Sequence, residues 1–104
     1  MPKFLLVYHG GTPPETPEEG EKVMAAWMAW FSDMGAAVID GGNPVMMSKT
    51  VSQAGVQGDG GANPVSGYSI IAADTIDAAC DLAKGCPMVL DGSGSVEVAE
   101  IHEM

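Results

Sequence analysis

The chain has few cations and no arginine. Its 104 residues hold four lysines and 14 acidic residues, for a formal net charge of −10. Nucleic acids and anionic membrane surfaces attract clustered lysine and arginine side chains. The lysines instead stand singly along the chain, at Lys3, Lys22, Lys49 and Lys84. We therefore expect no nucleic-acid partner and no membrane partner, and the acid excess indicates a solvated surface.

Cysteines and long apolar runs are also scarce. Cys80 and Cys86 are too few for a disulfide framework, and they lack the spacing of zinc or redox motifs. No apolar run approaches the roughly 20 residues of a membrane span, and no signal-peptide pattern opens the chain. The two glycine-rich stretches match no phosphate-binding or dinucleotide motif. We predict a cytoplasmic protein with no cofactor and no metal.

The apolar pattern predicts one α+β domain over residues 1–104. A first strand covers Lys3 to His9. A helix then begins with Thr16 as its cap and Pro17 at its first position, and Gly35 ends it. Its apolar stripe has helical spacing and comprises Val23, Trp27, Trp30, Phe31 and Met34.

The second half of the chain completes a doubled strand–helix–strand pattern. We predict strands over 37–40 and 67–73, a weak strand within 47–53, a loop or hairpin over 54–64, and a last strand over 96–101. Asp74 is the predicted cap of a second helix, which Gly85 and Pro87 end. This order is the ferredoxin-like βαββαβ plan with an extra short strand. It predicts a four-stranded antiparallel sheet with two helices on one face.

The first strand is apolar on both sides. Phe4, Leu6 and Tyr8 alternate with Leu5 and Val7, yet two helices cover only one face of such a sheet. Leaving one of these two rows of side chains exposed to water costs on the order of 25 cal/mol per Å² of apolar surface. We therefore predict a homodimer in which the bare faces of two copies pack together.

Several segments of the chain resemble the YCII-related family, also called the DGPF-domain family. They are residues 4–8, 35–42, 67–74, 77–79 and 96–98, in that order. The resemblance implies a ferredoxin-like domain that pairs into a dimeric α/β barrel. It also implies a cleft between helices and sheet, near the dimer interface.

The chain departs from the catalytic pattern of one branch of that family. There, a histidine on the first helix pairs with an aspartate in an Asp-Pro step after the second helix. Met24 and Cys86 stand at about those positions here. Asn63-Pro64-Val65-Ser66 replaces the Asp-Gly-Pro-Phe motif. The resemblance therefore transfers no His/Asp mechanism to this chain.

The candidate site residues lie near the strand ends. His9 is the candidate catalytic base, because imidazole titrates near neutral pH; its simpler role is a hydrogen bond to a turn. The candidate ligand-binding residues are Tyr8, Trp27, Asp40, Lys49, Tyr68 and Ser69. The simpler interpretation places the aromatic residues in the core or interface and the charged residues on the surface.

These observations predict a homodimer that binds a small molecule in a helix–sheet cleft near His9, Trp27, Asp40 and Tyr68. The sequence leaves open whether the protein is an enzyme. A second interpretation is a non-catalytic accessory or regulatory module that contacts other proteins. A third is a subunit whose only role is assembly.

Overall fold

Strand β1 (Lys3–Gly10) runs through the middle of a four-stranded antiparallel sheet. A computed structural model describes all 104 residues. The sheet order is β2-β5-β1-β6, with β2 at Val38–Asp40, β5 at Val65–Ala72 and β6 at Gly94–Glu100. Strands β1 and β5 are central, so the predicted ferredoxin-like sheet is confirmed.

Helix α1 (Pro17–Met34) begins where its capping signal lies. The Thr16 hydroxyl accepts a hydrogen bond from the Glu19 N–H at 3.1 Å. The Glu19 carboxylate accepts the Glu15 N–H at 3.0 Å, so Glu19 also holds the residue that precedes the cap. The helix ends at Gly35, whose φ of 56° suits glycine. A short 3₁₀ turn (Gly35–Ala37) then leads into β2.

The second helical region differs from the prediction at both ends. Helix α2 (Ile76–Ala83) is capped by Thr75, whose hydroxyl accepts the Ala78 N–H at 3.1 Å. Asp74, the predicted cap, lies one residue too early. Pro87 does not end α2, because it occupies the first position of a further short helix, α3 (Pro87–Leu90). Proline is tolerated there since that N–H has no partner within the helix.

All three helices pack on one face of the sheet. The buried cluster joins β1 and β5 to side chains of α1, α2 and the α3 region, including Phe4, Leu6, Ile71, Trp30, Ala79 and Met88. The N-terminal half of α1 extends beyond this cluster. Val23, which the sequence places on the apolar stripe, is 42% exposed for that reason. No helix combines the length and hydrophobicity that a membrane crossing requires.

The opposite face of the sheet, here called the open face, has no cover within the chain. Leu5 pairs with Ile70 on β5 and with Ala99 on β6. Val7 pairs with Tyr68. All five side chains are half-buried, because the neighbouring side chains of the sheet shield them but no helix does. The centre of the open face is therefore apolar.

Residues 45–64 form a separate hairpin, here called the arm. Its strands β3 (Thr50–Ser52) and β4 (Gly55–Gln57) pair only with one another. The weak strand predicted within 47–53 is thus a three-residue strand outside the main sheet. Its partner β4 lies in the segment predicted as a loop or hairpin.

The accessible surface of the chain is larger than that expected for a compact monomer of the same mass. Its accessible surface is 7070 Å², whereas a folded monomer of this mass exposes about 5,500 Å². The radius of gyration is 14.8 Å, against about 13 Å for a compact domain of this length. The open face, the arm and the N-terminal half of α1 are regions with apolar side chains that the chain leaves uncovered.

The buried side of β1 provides a test of the fold. Leu6 is fully buried, so Leu6→Ala should lower the free energy of unfolding by about 2–5 kcal/mol through lost burial and a residual cavity. Urea denaturation followed by circular dichroism measures this loss. Leu90→Ala is the matched control, because Leu90 is 74% exposed and its loss should stay within about 0.5 kcal/mol. Equal losses for the two variants would contradict the assigned core.

Candidate functional site

An open cleft lies on the helical side of the sheet, where the β1–α1 loop, α1 and α3 meet. Its volume is about 1020 Å³. Its apolar wall consists of Val23, Trp27, Trp30, Pro87, Met88 and Leu90. Such a concave, mostly apolar surface with a few polar groups is typical of small-molecule sites.

Two glycines form one end of this cleft. Gly10 and Gly11 have φ values of 84° and 95°, which side chains other than glycine rarely adopt. The Gly11 N–H donates to the Ser93 carbonyl at 2.9 Å. A Cβ atom on Gly10 would lie 3.0 Å from that same carbonyl oxygen. The loops after β1 and before β6 can therefore approach closely here.

The wall formed by α1 belongs to a cluster of aromatic rings. The Trp27 ring meets Tyr8 edge-on at 5.0 Å and Trp30 at 5.5 Å between centroids. Trp30 stacks on Phe31 at 5.2 Å, and its indole N–H donates to the Leu82 carbonyl at 3.0 Å. Trp30 is buried and fully tied into the core, whereas Trp27 is half-buried. Trp27 is thus the aromatic side chain that is both fixed and accessible to the cleft.

Tyr8 contacts this cluster from the sheet side and is itself held by a buried chain of hydrogen bonds. Its hydroxyl donates to the Ser69 hydroxyl at 2.7 Å, and Ser69 donates to the Gly41 carbonyl at 2.6 Å. Burial raises the pKa of the Tyr8 phenol to about 12. The phenol is therefore neutral near pH 7 and positions Trp27 rather than abstracting a proton. Its chain also ties β1 to the end of β2.

Charged groups stand at the rim of the cleft. Lys22 and Asp33 lie on α1, and Asp91 follows α3. Hydrogen bonds from Ser93, including its N–H at 2.8 Å, lower the pKa of the Asp91 carboxyl. The rim thus offers one cation and two anions to the polar edge of a bound molecule.

His9 lies on the open face, away from the cleft. Its Nε2 is 3.0 Å from the Glu97 carboxylate, and its Nδ1 is 3.0 Å from the Asn63 carbonyl and 3.3 Å from the Pro64 carbonyl. All these partners are acceptors, so the doubly protonated imidazolium fits them best. The hydrogen bond to Glu97, followed by those to the two carbonyls, raises the pKa of His9. His9 joins β1, β6 and the base of the arm.

The structure separates the predicted site residues into four places. Tyr8, Trp27 and Ser69 come together beside the cleft. His9 and Tyr68 lie on the open face, because successive side chains of a strand point to opposite faces. Asp40 accepts the Gly42 N–H at 2.8 Å in a local turn at the sheet edge, and Lys49 is an exposed residue of the arm. The expectation of one cleft shared by His9, Trp27, Asp40 and Tyr68 is not met within one chain.

Sequence reasoning missed the part of the cleft that lies outside α1. Met88, Asp91 and Ser93 follow Pro87, where the sequence predicts only a helix end. The available signal was proline at a helical first position, together with the paired glycines after β1. Neither signal indicates by itself that the loop after β1 meets the loop before β6.

The thiols and the metal-binding side chains form no further site. Cys86 is fully buried, and burial raises the pKa of its thiol, which disfavours the nucleophilic thiolate. Cys80 is half-buried on α2. No group of three histidine, cysteine, aspartate or glutamate side chains gathers anywhere in the structure.

Comparisons with known proteins show the fold of this chain. Neither the models of protein families nor the curated proteins give a significant match. Among solved structures, the chain is similar to 5-chloro-2-hydroxyhydroquinone dehydrochlorinase (TftG) from Burkholderia phenoliruptrix AC1100, in complex with 2,5-dihydroxybenzoquinone. The TM-score is 0.60 over 98% of this chain and 95% of that one, at 16% sequence identity. At this identity the similarity shows a shared ferredoxin-like architecture.

The His9–Glu97 pair predicts a pH-dependent contact. Because the pKa of His9 is raised in the folded chain, its contribution to stability is complete below the ordinary value of 6.5. That contribution is lost as the pH rises through the folded-state pKa. Glu97→Gln should lower the pKa of His9. The difference in unfolding free energy between the wild type and this variant should shrink as the pH rises above the folded-state pKa of His9. NMR titration of the imidazole, in a His102→Gln background that leaves one histidine to follow, measures the shift. Identical titration curves would contradict the pairing.

Proposed function

We propose that this protein is a YCII-related homodimer that binds a small molecule with a planar conjugated ring in the open cleft beside Trp27. One observation carries the proposal: a fixed, half-buried indole forms the wall of an apolar cleft that charged residues border. A planar ring placed there gains edge-to-face or offset contact with Trp27 as well as apolar burial. The structurally similar dehydrochlorinase is in complex with 2,5-dihydroxybenzoquinone, which supports this class of ligand.

The residues in and beside the cleft have different roles in this proposal. Trp27 contacts the ligand, while Tyr8 and Ser69 hold Trp27 in position through their buried hydrogen bonds. Met88 gives the facing wall a flexible, polarisable side chain that adapts to ligand shape. The proposal assigns binding without a reaction, because the titratable groups of the cleft are Lys22 and two aspartates at its rim, and His9 lies elsewhere.

The dimer is proposed on the basis of the open face. That face places Leu5, Val7, Tyr68 and Ile70 side by side with no cover from the chain's own helices. The surface in excess of a compact monomer, 7070 Å² against about 5,500 Å², is comparable with what each partner of a stable dimer buries. In this dimer His9 and Tyr68 belong to the interface, and the two sheets form the dimeric α/β barrel.

Tryptophan fluorescence tests ligand binding directly. The chain has two tryptophans, and both line the cleft. Titration with 2,5-dihydroxybenzoquinone as probe should give saturable quenching and raise the melting temperature. Trp27→Ala should weaken binding at least tenfold, a loss of about 1.4 kcal/mol, measured through the melting temperature and the remaining Trp30 emission.

The controls separate binding from collision and from general damage. Met28→Ala is the matched variant, because Met28 lies on the same helix outside the cleft and is 64% exposed. Its binding should equal that of the wild type. N-acetyltryptophanamide reports quenching without a site. Quenching that rises linearly like this amide's, with no change in melting temperature, would reject the cleft and favour the protein-interaction module.

A further inference from the structure

We infer that the arm of each copy docks on the second copy of the chain in the dimer. The inference rests on the proposed dimer and extends it, because the interface then includes residues 45–64 as well as the two open faces. Four observations support it: the exposure of the arm's apolar side chains, its independence from the rest of the chain, its direction and its charge.

The arm exposes apolar side chains that nothing in its own chain covers. Met46 is 91% exposed, Met47 86%, Val51 76% and Val56 65%. Single exposed apolar residues are ordinary, but four within one short segment indicate a contact surface. Methionine suits such a surface because its flexible thioether adapts to a neighbouring molecule.

The hydrogen bonds that shape the arm lie within the arm. The hydroxyl of Thr50 donates to the Asp59 carbonyl at 2.9 Å, and the Gly61 N–H donates to the Asp59 carboxylate at 3.0 Å. Strands β3 and β4 pair with no other strand. A two-stranded hairpin without further packing is marginally stable in water. A partner that covers it would therefore add stability that the monomer lacks.

The base of the arm is fixed on the side where a second sheet would lie. Asn63 and Pro64 present their carbonyls to His9 on the open face, at 3.0 and 3.3 Å. The start of the arm is held by the Val45 N–H, which donates to the Ser66 carbonyl at 3.0 Å. The arm thus leaves the sheet beside the face proposed to pack on the second copy.

The charge of the arm is compatible with a second copy as the occupant. The chain carries a net charge of −10, so two copies repel each other wherever acidic surfaces meet. Lys49 and Asp59 are the only charged residues among positions 45–64, and their charges cancel. The arm can therefore contact an acidic partner without adding like charge to the interface.

The test compares a polar arm with a matched polar helix. The arm variant carries Met46→Ser, Met47→Ser, Val51→Thr and Val56→Thr. The control carries Met24→Ser and Met28→Ser on the outer face of α1, where exposure is 63% and 64%. Sedimentation equilibrium over a dilution series gives the dimer dissociation constant of the full chain. We expect the arm variant to raise it at least tenfold and the control to change it less than twofold.

Hydrogen exchange identifies where the arm packs. The amides of β3 and β4 should be protected at concentrations where the wild type is dimeric and lose that protection on dilution to the monomer. A wild-type dimer whose dissociation constant the arm variant leaves unchanged overturns the inference alone. Protection that is equally strong in the monomer also overturns it, because the second copy then adds nothing to the stability of the arm. A wild type that stays monomeric throughout rejects the proposed dimer itself.

Discussion

The central strand β1 is apolar on both sides while every helix lies on one side, and this constraint shapes the rest of the molecule. Phe4, Leu6 and Tyr8 enter the core, so Leu5 and Val7 must emerge on the open face. The sheet cannot bury both rows with the helices it has. Apolar surface left in water costs free energy in proportion to its area, which makes a second copy the natural cover.

The alternation of side chains along β1 also decides on which face of the sheet each polar side chain lies. It sends Tyr8 toward the helices, where its hydroxyl reaches Ser69 and its ring supports Trp27. It sends His9, the next residue, to the opposite face, where Glu97 and the base of the arm hold it. Neighbouring residues of one strand thus serve the proposed ligand site, which Tyr8 supports through Trp27, and the proposed dimer interface, where His9 lies. Because Glu97 raises the pKa of His9, we expect the contacts of His9 with Glu97 and with the base of the arm to depend on pH, whereas Tyr8 stays neutral near pH 7.

Local signals predicted most of the fold. The Thr16 cap, Pro17 and Gly35 fixed the bounds of α1 through contacts within a few residues, and the order of strands and helices gave the sheet topology. The cleft was not predictable in this way. It depends on the meeting of Gly11 with Ser93, far apart in the chain, and on α3, whose Pro87 signals a helix end and a helix start equally well. The arm was predicted in part, as a weak strand within 47–53 followed by a loop or hairpin over 54–64, but no local signal showed that its strands β3 and β4 lie outside the main sheet.

The central claim is that the open face is covered by a second copy, and the mass of the wild-type protein in solution tests it most directly. Small-angle X-ray scattering at micromolar concentration should give twice the 10.7 kDa of the chain. A mass of 10.7 kDa with a radius of gyration near 14.8 Å would contradict it, because the apolar face would then be stable in water.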